Sequence, residues 1–423
     1  MELFCRRWPR KDTNDGNRGG ACLNMVGDAL TWVGMRIWKR LLIQALAILA
    51  GASVSGQSGQ ARQEQDPQKN GKQEQSPQAK TSQVKDQQQK GPQEQVSPQK
   101  VAQKNGQERV AQKQTPQEKP AADFRKLDAA ALPITQKIQI GGDADWLGIG
   151  FGSVWVTVAK NNEVVRVDPA RNVVQARIAV DKEPCYGIGI GVEKVWVLNC
   201  QSKTLTRINP KTNAVDLRVP VKIDDGGEGS IAVDERYVWF ASNDDGNAST
   251  LTQMDAKTGR PLKRIAVGKD SAVVKLGFGS VWVVSSGEGN VYRVDPARGK
   301  VTAMITVAEG PRFSTVATGS LWVLTQSDGN VSRIDPATNK VVAVIPVRVP
   351  GKGGEICYGG GFIWVTMDGN PVTRIDPVKN KVVDQYGNYP KADGIRYGFG
   401  SVWVSDHGKG ELWRIDPAKM PAH

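Results

Sequence analysis

The feature that most constrains this chain is a unit of about 41 residues that recurs seven times. Each copy carries a Trp beside aliphatic residues, and consecutive tryptophans are 39 to 43 residues apart. A period of roughly 40–50 residues built from short strands is typical of a β-propeller, in which each unit forms one blade. We therefore predict an all-β, seven-bladed β-propeller over residues 121–423, with blade tryptophans Trp155, Trp196, Trp239, Trp282, Trp322, Trp364 and Trp403.

Each unit is consistent with four strands. Small and aliphatic residues such as 187–190 predict the innermost strand, and alternating segments such as 195–198 predict the second. Residues 205–208 are typical of the third strand, and residues 341–347 are typical of the outer strand. An Asp-Pro pair between the last two strands favours a type I turn.

A second mark of the unit is an Arg–aliphatic–Asp–Pro tetrapeptide. The third unit departs from it, with Gln253 in place of Arg. A residue present in nearly every blade most simply fills the core between blades, so we interpret the repeated Trp and Arg as structural. We expect each Arg to pair with the Asp two positions later. The tetrapeptides, one of them with Asn for Asp, are 166–169, 207–210, 293–296, 333–336, 374–377 and 414–417.

The last unit is incomplete at its C-terminal end. Only six residues follow Pro417, too few for a fourth strand. Residues 134–140 match the outer-strand pattern of residues 177–180 and 264–267. We therefore predict that the N-terminal outer strand closes the ring in the last blade, which removes an exposed sheet edge.

Two cysteines of the second unit are predicted to form a disulfide. If Ile190 pairs with Val195, Cys185 and Cys200 face each other at the same end of the blade. An exported protein permits such a bond. Cys357 lies in a distant unit, and we expect it to remain a free, mostly buried thiol.

Residues 1–56 have the pattern of a signal peptide region, with a compact start at Met35. Basic residues precede a 14-residue apolar stretch, residues 41–54, which small residues follow. A membrane span needs roughly 20 apolar residues, so this stretch is short. We expect an exported protein, periplasmic or extracellular; the alternative is a chain anchored in the membrane by an uncleaved N-terminal segment.

Residues 57–120 form a Gln/Lys/Pro-rich linker. The segment holds 20 Gln and no aromatic residue. Its low apolar content cannot offset the entropy of ordering the chain, so we predict that it is disordered.

Composition excludes several function classes. Lys and Arg number 56 against 43 Asp and Glu, and the excess of +13 is spread along the chain. Diluted basicity argues against a nucleic-acid-binding protein. Five Cys and two His rule out an array of zinc fingers, and no Cys-x-x-Cys-His motif is present for covalent haem.

The seven Gly-Ile…Val-Trp-Val…Arg-Ile-Asp-Pro units resemble the streptogramin (virginiamycin B) lyase-like propellers and the YVTN-type surface propellers. The resemblance implies a lyase that opens a cyclic depsipeptide by elimination, using a catalytic His and Glu with a bound magnesium ion. The family's Glu-Pro-His-Gly-Ile segment corresponds to residues 391–395, where Lys391 and Asp393 stand for Glu and His. His407 stands four residues after the last blade Trp, where the family has a Glu. In the preceding blade, the family's Pro-His segment corresponds to the residues that end with Glu355. The matched catalytic positions have all changed.

Ligand-binding candidates come from the positions where the units differ. At the inner-strand position seven residues before each Trp, most units carry a small residue, whereas Lys275 and Arg396 carry charge. Asp145 lies just before the first inner strand, at the channel mouth. The residues that we select as candidates at the mouth and along the inner strands are Lys275, Arg396, Arg312, Glu355, Asp393, His407, Trp146 and Tyr186. Glu355 is the residue that would pair with Arg396 in a purely structural account.

These observations favour a secreted binding or interaction module of unknown ligand. We expect a small molecule, a peptide, a cell-wall component or a protein as the partner, no nucleic acid, no membrane span in the mature chain, and a monomer. The alternative is a lyase-like enzyme that acts on a cyclic peptide or other small molecule. We predict no cofactor and no metal site; magnesium belongs only to the enzyme alternative. A metal held by Asp393, Asp406 and His407 would favour that enzyme.

Overall fold

The computed structural model describes residues 124–422, except 225–227, 244–247, 349–350 and 352. The predicted signal peptide region 1–56 and linker 57–120 lie outside the described residues. Within the described part, no helix is long and apolar enough to cross a membrane.

Seven sheets form the blades of a propeller, and the four strands of each blade are antiparallel, which confirms the predicted fold. The chain begins with β1 (Arg125–Asp128) and β2 (Ile134–Gln139), which join later blades. From the inner to the outer strand, blades 1 to 3 consist of β3 (Ala144–Gly150), β4 (Ser153–Val158), β5 (Glu163–Asp168), β6 (Val173–Ala179); β7 (Gly189–Gly191), β8 (Lys194–Asn199), β9 (Thr204–Asn209), β10 (Ala214–Pro220); and β11 (Ala232–Val233), β12 (Tyr237–Ser242), β13 (Ser249–Asp255), β14 (Pro261–Val267).

Blades 4 to 7 repeat the same order. Their strands are β15 (Ser271–Gly277), β16 (Ser280–Ser285), β17 (Asn290–Asp295), β18 (Lys300–Thr306); β19 (Pro311–Ala317), β20 (Ser320–Thr325), β21 (Asn330–Asp335), β22 (Lys340–Pro346); β23 (Ile356–Gly359), β24 (Phe362–Met367), β25 (Asn370–Asp376), β26 (Lys381–Gly387); and β27 (Ala392–Gly398), β28 (Ser401–Asp406), β29 (Glu411–Ile415). Short 3-10 turns span Ala129–Ala131, Ala159–Asn161 and Pro417–Lys419.

The ring closes through the N-terminal outer strand, as predicted. Strand β2 pairs antiparallel with β29 and so supplies the fourth strand of blade 7. Strand β1 was not predicted: it pairs parallel with β26 and makes blade 6 five-stranded. The N-terminal segment of the domain therefore stabilises the last two blades.

The blade tryptophans lie in the core between blades. All seven are fully buried. In most blades the indole N–H donates to the carbonyl five residues earlier, as Trp155 does to Gly150 at 3.0 Å. The structural interpretation of the repeated Trp is therefore correct.

The repeated Arg has a different partner from the one predicted. Arg166 stacks over Trp155 at 4.9 Å, and its Nη1 donates to the Pro210 carbonyl and to Asn213 Oδ1 in the next blade. Asp168, two positions after Arg166, accepts hydrogen bonds from the backbone of its own turn instead. We call this contact of the Arg with the turn of the next blade a latch, because it joins adjacent blades. The predicted Arg–Asp pair was wrong, since the guanidinium binds the turn of the following blade instead.

Blade 3 keeps the latch without the Arg. Gln253 pairs in register with Lys263 on the neighbouring strand β14. Lys263 Nζ donates to the carbonyls of Pro296 and Ala297 in the turn of blade 4. A lysine on the outer strand thus replaces the missing guanidinium.

The predicted disulfide is present. Cys185 and Cys200 are bonded with Cα atoms 5.8 Å apart, and Ile190 pairs with Val195 as assumed. Cys357 is a free, buried thiol, as predicted. Burial raises its pKa to about 12; the charge of Arg396 opposes that rise and the charge of Glu355 adds to it, so the thiol stays protonated.

Candidate functional site

Seven residues at one level of the inner strands surround the channel, because each pairs in register with its blade Trp. Blades 1 to 3 carry small residues at this level, and blades 4 to 7 carry polar ones. A side chain on Gly148 would collide with Ile188, which explains the glycine of blade 1. The channel is therefore polar on one side, and the seven residues are Gly148, Gly189, Ala232, Lys275, Thr315, Cys357 and Arg396.

Arg396 and Glu355 form a bidentate ion pair between blades 7 and 6. Nη2 of Arg396 donates to Glu355 Oε1 at 2.6 Å, and Nη1 donates to Oε2. Glu355 is 3% exposed and also accepts from the Ile395 amide. Burial lowers the pKa of Arg396, but the charge and hydrogen bonds of Glu355 outweigh that effect, and the net pKa is raised. Arg396 therefore pairs with Glu355, as expected if the role of Arg396 is structural and not ligand binding.

Lys275 has no such partner. Its ammonium makes no hydrogen bond or ion pair within the described residues, although Arg396, Glu355 and Cys357 of blades 6 and 7 are close enough to affect its pKa. Burial and the positive charge of Arg396 lower that pKa to about 8, and Glu355 and Cys357 act in the opposite direction. A cation from blade 4 therefore faces the far side of the channel, and no carboxylate of the described residues contacts it directly.

Trp146 lies across the channel. It belongs to blade 1, yet its ring centroid is 5.6 Å from that of Phe313 in blade 5, and it packs in a cluster with Val273 of blade 4. The indole also lies beside Gly187 of blade 2, where a Cβ would be 3.4 Å from the ring, an ordinary contact distance. The indole is 4% exposed, and its Nε1–H has no hydrogen-bond partner. An aromatic pair thus closes much of the channel just inside its mouth.

Carboxylates gather at the mouth above this aromatic pair. Burial raises the pKa of Asp145 well above its ordinary value, and the negative charges of Asp393, Glu228 and Glu355 raise it further, with Asp143 adding a smaller effect. The carboxylate of Asp145 accepts no hydrogen bond in the part of the chain that the structure describes. Four acidic side chains therefore share one region, and one of them has no counter-charge.

Asp393 is held by a backbone hydrogen bond. Its Oδ1 accepts from the Gly354 amide at 2.7 Å. Burial raises the pKa of Asp393; the Gly354 hydrogen bond opposes that rise, Glu228 and Glu355 add to it, and His407 opposes it. His407 is thus close enough to Asp393 to interact with it, and both lie at the mouth.

The remaining candidates occupy different places. Arg312 pairs with Glu228 at 2.5 Å on the rim, where both side chains are well exposed. Tyr186 is fully buried and donates to the Ala241 carbonyl at 3.3 Å, so its side chain does not line the mouth.

The metal candidates do not form a ligand set. Asp406 accepts hydrogen bonds from the Tyr389 hydroxyl and from the amides of Gly408 and Lys409. Among the described residues, no three His, Cys, Asp or Glu side chains are grouped as metal ligands. The residues present therefore do not fit the magnesium ion that the resemblance implies.

Two parts of this site were not predicted from the sequence. Glu228 lies beside a glycine-rich segment of the least regular unit, which hides its equivalence to the other mouth residues. Phe313 follows Arg312 as an ordinary inner-strand residue, and nothing local indicates its contact across the ring.

Comparisons with known proteins show the fold. No protein-family profile and no curated protein matches the chain. A solved streptogramin B lyase superposes with a TM-score of 0.57 at 18% identity, over 66% of this chain and 96% of the lyase. The virginiamycin B lyase of Staphylococcus aureus gives 0.56 at 16% identity, over 66% and 98%. The hydrazine synthase of Kuenenia stuttgartiensis gives 0.53 at 14% identity, over 68% and 97%.

These identities are low, so they establish architecture and not activity. The resemblance that the repeats indicated is confirmed at the level of the fold: the chain is a seven-bladed β-propeller like those of the streptogramin B lyases.

Proposed function

We propose that this protein is an exported binding module whose channel mouth takes a ligand with a basic group, an amine or a guanidinium. The observation that carries the proposal is the Asp145 carboxylate, which is partly buried among Asp393, Glu228 and Glu355 and accepts no hydrogen bond within the described chain. The disulfide between Cys185 and Cys200 supports export, since such bonds persist in oxidising compartments.

The electrostatics explain why a cationic group suits this mouth. Like charges close together disfavour ionisation, and burial adds to that cost. Glu355 is neutralised by Arg396 and Glu228 by Arg312, and Asp393 interacts with His407, which leaves Asp145 without a counter-charge among the described residues. A ligand ammonium would remove the repulsion and supply donors for the free carboxylate oxygens. Charge-assisted hydrogen bonds of this kind are the strong ones.

The same arrangement gives little support to the lyase alternative. A general base must reach the proton that it abstracts. Asp406 is engaged by Tyr389 and two amides, and Asp393 accepts a backbone hydrogen bond. We expect no ring-opened product when the protein is incubated with streptogramin B and magnesium. Product that depends on enzyme concentration would overturn this part of the proposal.

Calorimetric titration of the exported protein with tri-lysine tests the basic-group proposal. We expect saturable binding to the parent, and at least tenfold weaker binding to Asp145→Asn, since a hydrogen-bonded charge contact is worth about 1.5–3 kcal/mol. Glu235→Gln is the matched control, because Glu235 is an exposed carboxylate in the turn between β11 and β12, at the opposite end of the inner strand from the mouth. Tri-lysine acetylated on every amine should not bind. Equal affinity for both variants would refute a site at Asp145.

A further inference from the structure

The channel below the mouth holds a group of hydrogen-bond donors without acceptors. Lys275 Nζ and Thr315 Oγ1 come from adjacent blades at the level of the blade tryptophans, and neither side chain makes a hydrogen bond in the described structure. The Nε1–H of Trp146 is buried without a partner. These are three donors from blades 4, 5 and 1.

The register of the strands brings these donors into one region. Trp146 packs in the cluster that contains Val273 and Phe313. Lys275 lies two residues beyond Val273 on β15, and Thr315 lies two residues beyond Phe313 on β19. Side chains two apart on a strand share a face. The indole therefore covers the level at which Lys275 and Thr315 enter the channel.

The charges at this level do not balance. Both oxygens of Glu355 are used by Arg396, and Oε2 also accepts from the Ile395 amide. Lys275 is then left with a positive charge that no carboxylate of the described residues pairs with. Burying an unpaired charge is costly unless another group compensates it.

The geometry points to a second binding site in the channel, for a small monovalent carboxylate that Lys275, Thr315 and Trp146 hold beneath the indole. A carboxylate has two oxygens and can accept all three donors, and its single negative charge would compensate Lys275. This site differs from the mouth in both position and charge. It goes beyond the proposed recognition of a basic group.

Acetate is the probe for this site, and acetamide is its neutral counterpart. In the full protein at pH 7, the melting temperature should rise saturably with acetate and not with acetamide, because a ligand that binds the folded state raises its stability. Lys275→Met should bind acetate at least tenfold more weakly. Lys300→Met, which removes one exposed Lys from β18 of the same blade, should respond like the parent.

Two further measurements sharpen the result. Trp146→Phe keeps a ring across the channel and removes the N–H, so its acetate affinity should fall severalfold. The acetate response should also weaken as the pH rises through about 8, where the Lys275 ammonium loses its proton. Lys275→Gln provides a second uncharged variant should the Met variant fold poorly.

The acetate experiments and the tri-lysine experiments should give independent results, because the two sites use different residues. Asp145→Asn should keep the acetate response, and Lys275→Met should keep tri-lysine binding. A parent without a saturable acetate response, or Lys275 variants that respond as the parent does, would overturn the carboxylate site and would mean that water satisfies the three donors.

Discussion

At the scale of single residues, the channel depends on how each charge is compensated. Arg396 and Glu355 satisfy each other, Arg312 and Glu228 pair at the rim, and Asp145 and Lys275 are left over. The sequence indicated that Lys275 and Arg396 were unusual, because the equivalent residues of the other units are uncharged. It could not show which of the two had a partner, since that depends on side-chain reach between blades.

The Arg396–Glu355 pair should behave as a buried ion pair. Arg396→Met leaves a buried carboxylate alone, and breaking such a pair costs about 3–5 kcal/mol of unfolding free energy. Glu355→Gln should also destabilise the protein. The double variant should recover much of the loss, because neither charge is then stranded. Urea unfolding of the parent and the three variants measures the coupling; additive losses would contradict a direct pair.

The Trp146–Phe313 contact shows a limit of sequence reasoning at this scale. Trp146 was predicted as a residue of the mouth, and it does lie just inside the mouth. Its ring nevertheless reaches a blade that is not adjacent to its own. Contact across the ring depends on the channel diameter, which no single unit encodes.

At the scale of the blade, the repeating unit contains the device that joins each blade to the next. The Arg of one blade reaches the turn of the following blade, where an Asn such as Asn213 adopts a positive φ of 53° and accepts with its side chain. The four-strand pattern and the buried Trp follow from the sequence alone. The Arg contact does not, because it joins two units and a comparison within one unit cannot show it.

Loss of one latch should destabilise the whole ring. Arg293→Met removes the hydrogen bonds to the Pro336 carbonyl and to Asn339, together with the stacking on Trp282. Hydrogen bonds from a charged donor are worth about 1.5–3 kcal/mol, and we expect a loss of that size in denaturant unfolding.

The control for the latch is Arg298→Met. Arg298 is exposed, and its side chain forms a surface pair with Asp295 at 3.5 Å. Surface pairs contribute about 0–1 kcal/mol, so this variant should unfold close to the parent. A similar loss in both variants would argue against a specific role for the latch.

The disulfide belongs to this scale as well, since it joins the segment before β7 to the end of β8. Its 15-residue separation corresponds to about 3 kcal/mol in the chain-entropy model, and Cys200→Ser should lose stability of that order. Peptide mapping without reductant should find Cys185 linked to Cys200 and Cys357 unmodified. A free Cys200 in the parent would contradict the pairing.

At the scale of the whole molecule, stability depends on closing the ring. The outer strand of blade 7 was predictable, because residues 134–140 carry the outer-strand pattern of the other units. The parallel strand β1 was not predictable, since Arg125–Asp128 has no counterpart in the other units.

Removing the closing segment should therefore affect every blade. Deletion of residues 121–141 removes both β1 and β2, and it exposes the edges of β26 and β29. We expect a lower melting temperature for the entire domain in calorimetry, not a loss confined to one small transition. A melting temperature equal to that of the parent would show that closure contributes little.

The pH dependence of tri-lysine affinity shows whether the mouth binds a basic group through the ionised Asp145 carboxylate. Burial and neighbouring carboxylates raise the pKa of Asp145, so its charge and the tri-lysine binding should be present above that raised pKa and should be lost as the pH falls through it. We expect the affinity of the parent to fall at least tenfold as the pH is lowered through the raised pKa of Asp145, against weak and nearly pH-independent binding in Asp145→Asn. Parent affinity that stays constant over this range, or that Asp145→Asn reproduces, would contradict it.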